Sequence, residues 1–70
     1  MGDIKVRYTV ETMRDGKAET RTDVQAGSMN EAAEMLGPVK AGLGREPTSG
    51  EWIRVTEFVS GRTNWFRARD

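Results

Sequence analysis

Two stretches near the start of the chain alternate between apolar and polar residues, and this alternation constrains the fold more than any other feature. Residues 3–13 alternate, with Ile4, Val6, Tyr8 and Val10 pointing one way and polar residues pointing the other. Residues 17–25 repeat the pattern more weakly and end on Val24. A period of two over this length is typical of a half-buried β-strand. The pattern therefore predicts two strands joined at Arg14-Asp15-Gly16.

The parity of the inward residues predicts the loop between these two strands. The inward residues are even-numbered on both strands, so the numbers of two facing residues add up to an even number. The loop between the strands must therefore contain an odd number of residues. We expect a three-residue loop with Gly16 in the left-handed position. In this register Arg7 faces Asp23, and two like charges, Glu11 and Glu19, face each other.

A short amphipathic helix is predicted after the first hairpin. Ser28 and Glu31 have the spacing of a capping box. The apolar side chains that follow form one helical stripe, made of Met29, Ala32, Ala33 and Leu36. Gly37-Pro38 is expected to end the helix. Residues 42–50 are rich in Gly, Pro and Ser and predict a loop.

Residues 51–69 predict a second hairpin with the opposite loop rule. The inward residues of its first strand are odd-numbered, Val55 and Val59 among them, whereas the inward Phe66 of its second strand is even-numbered. Facing residues then sum to an odd number, which requires an even loop. We expect a two-residue turn at Ser60-Gly61, with Val55 opposite Phe66.

Two hairpins around one helix predict a single α+β domain that spans residues 1–70. We expect a four-stranded antiparallel sheet with a β-β-α-β-β plan and strand order 2-1-3-4. The helix reverses the direction of the chain, so the third strand can pair beside the first, and the helix then packs on one face of the sheet.

Composition narrows the possible functions. The chain contains neither Cys nor His, so it lacks disulfides, thiolate zinc sites and the usual general base. Eleven Lys and Arg residues balance eleven Asp and Glu residues, which disfavours both a strongly basic nucleic-acid binder and an acidic DNA mimic. No apolar run approaches the ~18 residues of a membrane span, and no signal peptide is recognisable. We expect a cytoplasmic, non-catalytic protein without metal or cofactor.

The sheet face that the helix leaves uncovered is the predicted binding surface. The outward positions of the predicted strands hold arginines and aromatic side chains together. The candidate contact residues are Arg7, Arg21, Trp52, Arg54, Phe58, Trp65, Arg67 and Arg69. The predicted register also sets Arg54 opposite Arg67. Two facing cations cost stability that an acidic partner would restore, so this pair is expected to mark the contact. The same residues could instead form a self-packed cluster in which arginine stems cover the tryptophans.

Three functions fit such a surface. A protein-binding module is favoured because the net charge is zero and no RNA-binding signature is present. A single-stranded nucleic-acid-binding module would use the same aromatic and arginine side chains. A self-assembling structural subunit, including a homodimer, could form through edge strand 2 or 4.

The segment Val24-Gln25-Ala26-Gly27-Ser28-Met29-Asn30-Glu31-Ala32-Ala33 closes a strand and opens a helix, and Gly61 lies at the tip of the hairpin that follows. This arrangement resembles small proteins of bacteriophages and mobile elements, including some anti-CRISPR inhibitors with the same plan. The resemblance implies a stoichiometric inhibitor or adaptor that docks onto a larger host complex, often one that handles nucleic acid, in the host cytoplasm. It assigns no functional residues, because the group shares no functional motif.

Overall fold

The computed structural model describes residues 5–69, so Ile4 of the alternating pattern lies outside the described residues. The elements are β1 (Val6–Arg14), β2 (Lys17–Ala26), α1 (Met29–Glu34), β3 (Glu51–Glu57) and β4 (Thr63–Phe66). The four strands form one antiparallel sheet in the order β2-β1-β3-β4. The predicted α+β fold and strand order are therefore confirmed.

The register of the first hairpin differs from the prediction by two residues. Asp15 and Gly16 form a two-residue turn with φ of 48° and 87°, the left-handed values that a type I′ hairpin requires. The one extra residue that parity requires lies in β2 and not in the loop. Glu19 is opposite no residue of β1 and forms a bulge beside Thr12. The predicted three-residue loop is therefore wrong. From Thr20 onwards the bulge restores the even register and the predicted faces, whereas Ala18 pairs with Met13 instead of facing inwards.

This register changes the charge pairs of the first hairpin. Glu11 lies opposite Arg21 rather than Glu19, so the expected like-charge pair does not form. Arg7 lies opposite Gln25, and Asp23 lies opposite Thr9, whose hydroxyl donates to the Asp23 carboxylate at 3.1 Å. The register thus replaces a repulsion with an attraction.

The second hairpin keeps the predicted even loop but not the predicted turn. The N–H of Glu57 donates to the carbonyl of Arg62 at 2.7 Å, which leaves residues 58–61 as the loop. Val55 therefore lies opposite Asn64, and Phe66 lies opposite Ile53. Because the shift is again two residues, the side chains of β3 and β4 stay on their predicted faces.

The helix and one sheet face enclose the core. Ser28 Oγ accepts a hydrogen bond from the N–H of Glu31 at 3.1 Å, so the helix begins where the sequence predicts. The core is formed by the following side chains: Tyr8, Val10, Ala26, Ala32, Ala33, Val39, Ile53, Val55 and Phe66. Burial of each large aliphatic or aromatic side chain stabilises the fold by about 1.5–3 kcal/mol. The helix ends at Glu34, earlier than its stripe predicts, and Leu36 remains 46 % exposed.

The chain after the helix runs along the outer edge of β4. Lys40 N–H donates to the carbonyl of Arg67, and Leu43 N–H donates to the carbonyl of Trp65, each at 2.9 Å. Val39 and Ala68 form an antiparallel bridge beside them. The outer edge of β4 is therefore occupied, and β2 forms the edge at the other end of the sheet.

Candidate protein-binding surface

The sheet face opposite α1, here called the open face, carries seven of the eight predicted contact residues. The cross-strand pairs Glu11↔Arg21, Glu11↔Arg54 and Arg54↔Trp65 run from edge to edge of this face. Residues two apart on one strand share a face, which adds Arg7 and Trp52. Phe58 and Arg67 lie just beyond the ends of β3 and β4. The Phe58 ring contacts the Arg7 guanidinium, and Arg67 donates to Ser49 in the segment that also contacts Arg54. Arg69 follows the bridged Ala68, and its side chain is exposed at the far end of β4.

Arg54 lies near the middle of the open face and is neutralised within the chain. Its Nε lies 3.0 Å from Glu11 Oε1, and its Nη1 lies 3.6 Å from Glu46 Oε2. The Arg54 and Glu11 side chains are only 31 % and 15 % exposed, so solvent screens this pair less than a surface pair. The hydrogen bond to Glu11, opposed in part by desolvation, holds the pKa of Arg54 above its ordinary value.

The predicted opposition of Arg54 and Arg67 does not occur. Arg54 lies opposite Trp65, because the hairpin register is shifted by two residues. Arg67 instead donates from Nη1 to the carbonyl of Glu51 and from Nη2 to the carbonyl of Ser49, each at 3.2 Å. Neither cation therefore repels the other, and the reason for assigning the pair to an acidic partner is removed.

Residues 45–50 lie against the open face at the end where β3 begins. Glu46 reaches Arg54, and the carbonyl of Ser49 accepts from Arg67, so this segment crosses the face between the two arginines. Trp52 is only 2 % exposed although it lies on the face opposite the helix, and Trp65 is half-buried. Neither tryptophan is therefore fully open to a partner.

The other end of the open face is accessible. Phe58 is 63 % exposed and Val59 is 85 % exposed, both in the loop that joins β3 to β4. The guanidinium of Arg7 lies 5.2 Å from the centroid of the Phe58 ring, a cation–π distance. A shallow depression beside them is lined by residues of all of the first three strands and of the loop: Thr9, Glu11, Arg21, Thr56, Glu57, Phe58 and Gly61. We call Arg7, Phe58 and Val59 the hairpin-tip patch.

The loop that carries the hairpin-tip patch is held by its own hydrogen bonds. Gly61 N–H donates to the carbonyl of Glu57 at 2.8 Å, and Ser60 Oγ donates to the Glu57 carboxylate at 2.6 Å. Phe58 N–H donates to the carbonyl of Arg7 at 3.0 Å. Gly61 has φ of 76°, which lets the chain reverse without steric strain. The exposed apolar side chains are therefore presented from an ordered turn.

Val59 is the member of the patch that the sequence did not predict. Its odd number placed it with the buried Val55, but parity holds only within a strand, and β3 ends at Glu57. Ser60-Gly61 is a turn signal. A prediction that ended the strand a few residues before this signal would have placed Val59 in the loop. Glu46, the second partner of Arg54, has no comparable local signal.

A second apolar surface lies beyond the end of the helix. A shallow cleft there is lined by the following residues: Thr12, Met13, Glu19, Leu36, Glu51, Trp52, Ile53 and Ala68. Arg14 bridges the two acidic residues at its rim, at 3.3 Å from Glu19 and 2.7 Å from Glu51. The hydrogen bond to Glu51 and the charge of Glu19 raise the pKa of Arg14 above its ordinary value. Met35, 55 % exposed, follows the same helix.

Within residues 5–69, no group of three acidic, His or Cys side chains is arranged to hold a metal ion. No helix in that range is long and apolar enough to cross a membrane. No protein-family model matches the chain, and neither a curated protein nor a solved structure is significantly similar to it. The hairpin-tip patch is therefore the basis for a functional proposal.

Proposed function

We propose that this chain is a non-catalytic inhibitor or regulator that binds another protein through the hairpin-tip patch. The observation that carries the proposal is the exposure of Phe58 and Val59, at 63 % and 85 %, on an ordered turn. Two adjacent apolar side chains held in water gain free energy when a partner covers them. An aromatic ring beside an arginine is a combination that protein interfaces enrich.

The charge around the patch supports a partner with an acidic surface. Within residues 5–69, neither Arg7 nor Arg21 has a carboxylate oxygen within the 4.0 Å of an ion pair, unlike Arg14 and Arg54. Both are therefore available to an incoming acidic side chain. Such pairs fix orientation and speed association more than they raise affinity.

A single-stranded nucleic-acid-binding module is the competing function for the same face. Stacking platforms place bases on several aromatic rings. Here Trp52 is buried, Trp65 is half-buried, and Arg7 already lies over the Phe58 ring. The small number of free rings supports a protein partner over a nucleic acid.

The order of hairpin, helix and hairpin supports a narrower proposal about the target. Because small phage and mobile-element inhibitors share this plan, we propose that the chain is encoded by such an element. It would then act in the host cytoplasm on a defence or nucleic-acid-handling complex. Masking a site on that complex requires a rigid contact surface, which the ordered turn supplies.

The proposal is tested by comparing the proteins captured from a host lysate by the wild type, by Phe58→Ala and by Met35→Ala. Met35 is the matched control, since it is 55 % exposed but lies on the helix side of the molecule. We expect a partner that the wild type and Met35→Ala retain and that Phe58→Ala loses by about tenfold or more. Equal capture by all three proteins, or loss only with Met35→Ala, would contradict the assignment of the surface.

A mobility-shift titration separates the competing function. Binding to a single-stranded oligonucleotide that weakens steeply with salt and requires Phe58 would support the nucleic-acid module instead. No shift at micromolar protein supports the protein-binding assignment.

A further inference from the structure

The outer edge of β2 is a long strand edge with no pairing partner inside the described chain. β2 ends the sheet, and residues 17–23 are all exposed. The backbone hydrogen bonds found outside strand pairing go to the β4 edge, the loops and the helix, and among residues 5–69 none reaches the outer edge of β2. Exposed edges of this kind are templates for pairing with another strand.

The hydrogen bonds of β1 identify the backbone groups that point outward from β2. The N–H of Phe58, the residue that follows β3, donates to the carbonyl of Arg7. The backbone groups of the odd-numbered residues of β1 therefore point towards β3. Because successive residues alternate sides, the even-numbered residues of β1 bond towards β2. Their partners, such as Thr22 opposite Val10, use their backbone groups within the hairpin. The N–H and C=O groups of Arg21, Asp23 and Gln25 therefore point outward.

The charges along this edge would match those of a second copy of the edge if the twofold axis passed through Thr22. If a second copy pairs antiparallel with the twofold axis at Thr22, Arg21 lies opposite Asp23 of the partner subunit, and the same pair occurs again by symmetry. Centring the pairing on Arg21 or on Asp23 would place like charges opposite each other. Centring it on Thr20 would place the bulged Glu19 in the hydrogen-bonded ladder.

We propose that two copies of this chain form a homodimer by antiparallel pairing of β2 with β2, with the twofold axis at Thr22. Arg21 and Asp23 then form two reciprocal hydrogen-bonded pairs, and each pair also joins opposite charges. Thr22 faces its own copy on the helix side of the sheet, where threonine pairs are favourable. The two sheets join into one sheet of eight strands with both helices on the same face.

The contact is small, so the dimer is expected to be reversible. One pair of edge strands buries less than the ~1,200 Å² typical of stable interfaces, which corresponds to weak association. The bulge at Glu19 limits the straight part of the edge to the residues that follow it. This interface includes Arg21, which the proposed function also assigns to the acidic partner, but neither Phe58 nor Val59, so the dimer measurements and the Phe58→Ala capture experiment can fail separately.

The charge pattern allows a test by complementary variants. Sedimentation equilibrium of the wild type from about 10 µM to about 1 mM should show a monomer–dimer equilibrium. Arg21→Asp alone and Asp23→Arg alone should each weaken the dimer by about tenfold or more, because both pairs become repulsive. An equimolar mixture of these two variants should form a heterodimer, and the double variant Arg21→Asp/Asp23→Arg should restore the homodimer. A dimer unaffected by either single substitution, or a wild type that stays monomeric at the highest concentration, would overturn the proposal.

Amide hydrogen exchange on the wild type gives a second test that needs no variant. The outward N–H groups of Arg21 and Asp23 should exchange rapidly in dilute protein and become protected as the concentration rises. The Thr22 N–H is the internal control, because it bonds towards β1 in both states. Equal exchange of Arg21 and Asp23 at both concentrations would exclude this pairing even where the substitutions destabilise the fold.

Discussion

The ion pair between Glu11 and Arg54 provides a direct test of whether Arg54 stabilises the fold or is available to bind a partner. Arg54 Nε and Glu11 Oε1 are 3.0 Å apart, and the two side chains are 31 % and 15 % exposed. Exposed pairs contribute about 0.2–1 kcal/mol, whereas hydrogen bonds to charged groups contribute about 1.5–3 kcal/mol. For a half-buried pair we expect a coupling free energy of about 1 kcal/mol.

The measurement is a double-mutant cycle with Glu11→Gln and Arg54→Met, which remove charge while keeping most of the side-chain volume. Urea unfolding is followed by the fluorescence of Trp52, which is 2 % exposed in the folded state. With an m-value of about 1 kcal/mol/M for a domain of this size, each single substitution should lower the urea midpoint by about 1 M. Repeating the cycle in Glu46→Gln removes the second carboxylate, which lies 3.6 Å from Arg54 Nη1.

The matched control is the pair between Arg14 and Glu51, which has a shorter distance of 2.7 Å but side chains that are 57 % and 65 % exposed. Solvent screening should make its coupling free energy clearly smaller than that of Glu11 and Arg54. A coupling for Glu11 and Arg54 no larger than this control would refute the reasoning. Arg54 would then be available to a partner, and the centre of the open face would again be a candidate contact.

Three further substitutions test the fold and the patch by urea unfolding. Ser28→Ala removes the acceptor of the Glu31 N–H and should cost about 1 kcal/mol, so an unchanged midpoint would contradict the cap. Phe58→Ala should cost only about 0.5 kcal/mol, the strength of an exposed cation–π contact, and a loss above about 2 kcal/mol would place Phe58 in the core. Gly42→Ala puts a Cβ against the side-chain amide of Asn64, whose Oδ1 accepts from Gly44 N–H at 3.1 Å, and should cost about 1–2 kcal/mol. An unchanged urea midpoint for Gly42→Ala would show that the segment beside β4 can shift at little cost in stability.

Two of the three members of the hairpin-tip patch, Arg7 and Phe58, were predictable from the sequence, but Val59 and the accessibility of the face were not. Parity placed Arg7, Phe58 and Trp52 on one face, because a period of two assigns faces locally. Whether a side chain on that face is open depends on tertiary contacts, which form only after the chain folds. Trp52, which parity assigned to the binding surface, is only 2 % exposed, whereas Phe58 on the same face is 63 % exposed.

Local sequence patterns were enough to predict the four strands, the start of the helix at Ser28 and the strand order. Each of these follows from local periodicity, capping chemistry and short connections. The tertiary structure decided the registers, because any shift by two residues keeps every side chain on its face and leaves the pattern satisfied. The turn at Asp15-Gly16 and the bulge at Glu19 selected one of these equivalent registers. That selection also decided the neighbours of Arg21, Arg54 and Arg67, since cross-strand contacts depend on register and not on parity.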